Sequence, residues 1–141
     1  MEHYLEDLDR LSRSQIWELQ KAYYMRQGME AWNGGHVPSF VSSNAFIART
    51  YADLIEGFIR DCNCNAPVTI VELGAGSGRL AFLILRSLFD NGIESDRFRY
   101  VMTDFTESNV NAWQETEVFQ PFIDAGVLTF RVFDEIGRAH V

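Results

Sequence analysis

Lysine is almost absent from this chain. Lys21 is the only one in 141 residues, and arginine raises the basic total to just 12 against 20 acidic residues, for a formal net charge of -8 and a pI of about 4.8. Such a chain has no extended basic face with which to neutralise phosphates, so nucleic acid is a poor first candidate for a partner. Long apolar runs are missing too. No stretch approaches the roughly 18 to 20 residues of a membrane span. The start, Met1-Glu2-His3-Tyr4-Leu5-Glu6-Asp7, is acidic where a secretory signal would be basic and then apolar. The expectation is a cytoplasmic protein with no membrane segment. Cysteine is scarce: Cys62 and Cys64 stand one residue apart, too close for ordinary disulfide geometry and too few for a four-ligand zinc site. Free thiols and no metal site are expected. Repeats and low-complexity stretches are also lacking.

What remains is ordinary globular material, 47% hydrophobic and 13% aromatic, enough for the core of about one domain. Leu5, Leu8, Leu11, Ile16, Trp17, Leu19, Tyr23 and Tyr24 recur at spacings near three and four, which predicts helix over residues 1 to about 33, with Ser14 able to cap its second stretch. Gly34-Gly35-His36-Val37-Pro38 breaks it. A second helix is predicted over 44–60, with Ile47, Tyr51, Leu54, Ile55, Phe58 and Ile59 on one face and Ser43 or Asn44 as its cap.

After a polar connector ending at Pro67, the pattern changes to alternating strand and helix. Residues 68–73 read as an almost continuous apolar strand, and 79–89 as a helix apolar nearly all round, stopped by Asn91-Gly92. A strand over 98–103, a helix over about 108–118, a Pro121 segment turning at Gly126 and a strand over 127–133 follow. The order βαβαβ implies an α/β fold with a Rossmann-like parallel sheet in the order 3-2-1, preceded by N-terminal helices. Three regions result: 1–65 helical, 66–134 ligand-binding, and a tail, 135–141, that abandons the pattern. Ile136 to Val141 resembles the translation of a common short-read sequencing adapter, so native sequence is expected to end at about Asp134 in a truncated gene fragment.

The most informative stretch is Glu72-Leu73-Gly74-Ala75-Gly76-Ser77-Gly78-Arg79, between the first strand and the helix that follows it. A strand that ends in an acid and turns through alternate glycines into a helix can bring its backbone against a ligand without a Cβ intervening. A dinucleotide fingerprint, G-x-G-x-x-G, would place its third glycine at position 79, which is Arg79. A P-loop needs Gly-Lys-Ser/Thr, and no lysine is near.

The remaining form, E-x-G-x-G-x-G, closely resembles the first motif of class I S-adenosylmethionine-dependent methyltransferases. The resemblance covers roughly residues 67–134 and continues with acids after the second and third strands, Asp104 and Asp134. It implies the first half of that fold, S-adenosyl-L-methionine as cofactor, and a transferase whose acceptor and catalytic residues the chain does not disclose. Glu72 would meet the methionine amino group, and Gly74, Ala75, Gly76 and Gly78 would let the methionine and sugar lie against the turn. Asp104, 26 residues past Gly78, would accept from the ribose hydroxyls. Asp134 would sit near the adenine amino group, with Phe105 or Phe133 covering the ring.

Each residue also has a plain structural reading: the glycines as a tight turn, Glu72 as an exposed strand end, Asp104 as a helix cap. Trp17, Tyr23, Tyr24, Trp32 and Phe40 suit a substrate wall, but at helical spacing aromatics are more often core, the reading favoured here. The loop from Gly35 to Asn44 loosely resembles the matching region of the arginine methyltransferases that act on a respiratory complex I subunit, without a residue-by-residue match. His36 as a base and Tyr51 as a cofactor contact are further candidates. The alternatives are an NAD(P)-dependent oxidoreductase, disfavoured by Arg79, and a non-catalytic interaction module.

Overall fold

The computed structural model of the chain describes residues 10–62 and 66–134. The tail 135–141, the first nine residues of the helix expected over 1 to about 33, and Cys64 lie outside the described residues.

Three parallel strands form an open sheet in the order β1 (Val68–Glu72), β2 (Phe98–Asp104), β3 (Leu128–Val132), the expected arrangement read from the other edge. The register sets Glu72 beside Met102 and Asp104 beside Val132, so the carboxyl ends of the strands lie together. Preceding the sheet are α1 (Ile16–Gln27), the single turn α2 (Glu30–Asn33) and the long α3 (Ala45–Cys62). α4 (Arg79–Asp90) crosses from β1 to β2, while α5 (Glu107–Gln114) and α6 (Gln120–Asp124) cross from β2 to β3.

The sheet buries one face. Phe98, Tyr100, Met102, Leu128 and Phe130 point into a core shared with Ile84, Leu85 and Leu88 of α4, Trp113 of α5, and Phe119 and Phe122. Thr69, Val71, Thr129 and Arg131, on the alternate positions, are exposed. The almost continuous apolar strand read at 68–73 is thus half-exposed, with Val71 at 53%. Two successive crossovers of one hand put their helices on the same face, so a sheet of three parallel strands in sequence order is covered from one side. α4 is apolar nearly all round for a different reason: it lies between the sheet and α3, which buries Ala48, Ala52 and Ile59 against it. β1 pairs with β2 on one side and has no strand on the other among the described residues.

Asn44 caps α3 as expected: its Oδ1 accepts the Ile47 N–H at 3.0 Å, a contact typically worth about 1 kcal/mol. Elsewhere the helices differ from the sequence reading. The long N-terminal helix ends at Gly28, whose φ of 52° takes the chain out of the helix while its N–H closes on the Tyr24 carbonyl. The helix expected over 108–118 stops at Gln114; a 3-10 turn (Glu117–Phe119) leads into α6, with Pro121 in its first turn, where a missing N–H costs nothing. Cys62, read as a free thiol, is disulfide-bonded at the last residue of α3, where the helix ends.

Candidate functional site

The chain leaves β1 through a turn whose three glycines all have positive φ: 65° at Gly74, 54° at Gly76 and 72° at Gly78. A side chain in that region is strained whatever space surrounds it. Gly76 and Gly78 are also crowded. A Cβ on Gly76 would lie 2.9 Å from the Trp32 ring, and one on Gly78 would lie 2.9 Å from Met102 Cε and Phe119 Cζ. The first glycine thus makes room for an aromatic lying on the turn, and the second for the core beneath it.

The turn is tied down from β2. Ala75 N–H donates to the Thr103 carbonyl at 2.8 Å, Gly76 N–H to Asp104 Oδ2 at 3.2 Å, and Gly78 N–H to the Ala75 carbonyl at 2.8 Å. Thr103 Oγ1 donates to the Glu72 carbonyl and Trp113 Nε1 to the Gly76 carbonyl. Asp104, 2% exposed, also accepts from Thr106 N–H at 3.0 Å and Thr106 Oγ1 at 2.8 Å. It therefore joins the end of β2 both to the turn and to the start of α5. Three backbone N–H groups of the turn, those of Ala75, Gly76 and Gly78, are thus engaged within the protein.

A cavity of about 280 Å³ opens at this turn, lined by Glu72, Gly74, Ala75, Gly76 and Ser77 on one side and by Trp32, Val37 and Ser43 on the other. That volume is close to the lower bound of small-molecule sites, about 300 Å³. Glu72 is its charged residue. Its carboxylate Oε2 accepts from the Tyr100 hydroxyl at 2.9 Å. Burial pushes the Glu72 carboxyl up to about 7, against the opposing effect of the Tyr100 hydrogen bond. Tyr100 is itself raised, by burial and by the carboxylate beside it.

The other named residues fall into two groups. Gly78 and Asp104 are buried beneath the turn, whereas Phe105 and Asp134 stand apart from the cavity wall and meet the N-terminal segment. Tyr24 packs edge-on against Phe105 at 6.0 Å and stacks on Trp32 at 5.2 Å, while Lys21 Nζ meets Asp134 Oδ2 at 2.7 Å. Lys21, Tyr24 and Trp32 thus reach the ends of β3, β2 and β1 in turn. The core reading of the N-terminal aromatics is corrected: Trp17, Tyr23, Tyr24 and Trp32 are half-buried, Phe40 is 72% exposed, and α1 contains no buried residue. The helix packs across strand ends, where polar backbone interrupts any apolar surface, instead of over a sheet face. His36 is exposed, and Tyr51 lines a second cavity of about 310 Å³ that also touches Glu72 and Tyr100.

Tyr100 was not singled out from sequence, although a tyrosine at an inward strand position carries a hydroxyl that needs a partner. A cavity of about 250 Å³ between α3 and the loop before β2 is a weaker candidate. Three of its charged side chains are already engaged, Glu56 with Arg60 and with Asn91 Nδ2, and Arg97 with the Ile59 carbonyl. Among the described residues no group of His, Cys, Asp and Glu side chains is placed to hold a metal, and no helix is long and apolar enough to cross a membrane. No family model, no curated protein and no solved structure matches the chain.

Proposed function

We propose that residues 66–134 bind S-adenosylmethionine as the cofactor part of a class I methyltransferase, with the methyl acceptor unassigned. The observation that carries this reading is the composition of the cavity at the glycine turn. It offers a carboxylate, Glu72, and close-lying glycine backbone, while the N–H groups of Ala75, Gly76 and Gly78 are already bonded. A ligand bearing an ammonium and a sulfonium but no phosphate suits such a site better than a dinucleotide, which would bring a pyrophosphate against the Glu72 carboxylate. Glu72 would face the methionine ammonium. The nucleoside would extend past Trp32 toward Phe105 and Asp134, displacing the contact of Trp32 with Gly76. Asp104 supports this arrangement from below by fixing the turn.

Methyl transfer is an in-line displacement at carbon, so the protein supplies alignment and, for a nitrogen or oxygen acceptor, a base. The residues named here hold the donor and make no claim on the acceptor.

The test is calorimetric titration of the 141-residue chain with S-adenosylmethionine, S-adenosylhomocysteine and NADH. The expected result is binding of the two S-adenosyl ligands, weakened by Gly76→Asp, which fills the space under Trp32, and by Asp104→Ala, which frees the turn. Circular dichroism of each variant checks that the fold persists. Binding of NADH with none of the S-adenosyl ligands would overturn the assignment.

A further inference from the structure

Glu72 and Tyr100 form a pair that the glycine turn alone does not require. Tyr100 is 2% exposed, sits on β2 opposite Ile70, and reaches diagonally along the sheet to place its hydroxyl 2.9 Å from Glu72 Oε2. Phenylalanine would fill the same core space, so the hydroxyl is there for the carboxylate. Glu72 stands between two cavities, the one at the glycine turn and the one bounded by α3 and α4, and lines both. One carboxylate oxygen is anchored and the other is left over.

We propose that Tyr100 is a positioning residue for ligand recognition: by holding Glu72 Oε2 it fixes the carboxylate so that the remaining oxygen receives the ammonium of the bound ligand. The inference rests on the cofactor reading above and adds to it a residue and a pH dependence. The groups packed around the carboxylate leave Tyr100 as its main partner. From β2 there is Tyr100, from α3 Tyr51, and from α4 the apolar Leu80 and Ile84. Burial and the Tyr100 hydrogen bond are the influences on Glu72, and no cationic side chain of the described residues offsets its charge.

A ligand ammonium binds the ionised carboxylate. With Glu72 titrating at about 7, affinity in the wild-type chain should fall about tenfold from about pH 8 to about pH 6. Removing the hydroxyl removes a hydrogen bond that favours the ionised form, so Tyr100→Phe moves the midpoint to higher pH. Through ionisation alone the resulting loss of affinity is confined to low pH, whereas the loss of orientation applies wherever Glu72 is charged in both chains.

The experiment is titration of wild-type chain and Tyr100→Phe with S-adenosylmethionine from about pH 6 to about pH 9, with Glu72→Gln as the reference that lacks the charge. Ionisation of the ligand's own amine is common to all three and cancels in the comparison. The expected result is a loss in Tyr100→Phe that is largest at low pH and persists in part above about pH 8, where the carboxylate is ionised in both chains but no longer held, and in Glu72→Gln a loss greatest at high pH. A Tyr100→Phe deficit that vanishes once Glu72 is ionised in both chains, or no deficit at any pH, overturns the positioning role while leaving the cofactor assignment standing. Absence of binding by the wild-type chain at every pH defeats the cofactor assignment first.

Discussion

Replacing Gly78 by alanine isolates a packing contribution inside the glycine turn. Two costs apply. The first is backbone strain: Gly78 has a φ of 72°, and an L-residue held there costs about 1–2 kcal/mol. The second is overlap, since the new Cβ would lie 2.9 Å from both Met102 Cε and Phe119 Cζ. Met102 Cε is the free end of a flexible side chain and can move. Phe119 is harder to shift, because its ring is set edge-on to Phe82 at 6.5 Å and to Phe130 at 5.9 Å. Forcing a methyl into such a place costs about 1–3 kcal/mol, for a total of about 2–5 kcal/mol. Gly92 provides the control: its φ is 76°, but nothing lies within 4 Å of its Cβ position, so Gly92→Ala should show the strain alone. Urea unfolding of the two variants beside the parent, followed by far-UV circular dichroism, gives the comparison. Gly78→Ala should be the less stable by about 1–3 kcal/mol at unchanged m-value. Equal losses in the two variants would refute the assignment of Gly78 to core packing.

Two further predictions concern polar groups under the sheet. Glu72 titrates near 7 when folded and near 4.5 in its ordinary state, so between those values the folded chain holds the extra proton and stability declines as pH rises. The decline amounts to at most about 3 kcal/mol and is complete above the folded value; Glu72→Gln should flatten this part of a melting-temperature profile, and parallel profiles would refute it. Asn109 is fully buried in α5, and neither its Nδ2 nor its Oδ1 has a hydrogen-bond partner among the described residues. Asn109→Leu should therefore hold stability constant or raise it by about 1 kcal/mol, and a loss of more than about 1 kcal/mol in a denaturant titration would contradict the orphaned amide.

The sheet was legible because its signals are local. Short apolar runs bounded by polar connectors and glycines marked β1, β2 and β3 to within a residue or two, and Glu72 through Arg79 announced the turn between β1 and α4. What was not legible depends on tertiary placement. The periodicity of Ile16, Leu19 and Tyr23 reads as a buried stripe, yet α1 lies across strand ends and leaves Ile16 and Leu19 exposed. The use of Asp104 as the tie between Gly76 and Thr106 depends on β1 and β2 lying in register, and so does the reach of Tyr100 to Glu72. In the sequence Gly76 and Asp104, like Glu72 and Tyr100, are separated by 28 residues, and no spacing rule connects them.

The contact of Lys21 with Asp134 closes 113 residues of chain. Bringing such distant positions together costs on the order of 4 kcal/mol of chain entropy, several times what a half-exposed ion pair returns. This pair can form only after the sheet has already drawn β3 alongside β2. Of the described residues, those the ribosome delivers first are thus among the last to settle, and the cover over the glycine turn waits on completion of the third strand. Timing during synthesis follows from the same contact: until Asp134 has emerged, α1 lacks its ion pair to the end of β3.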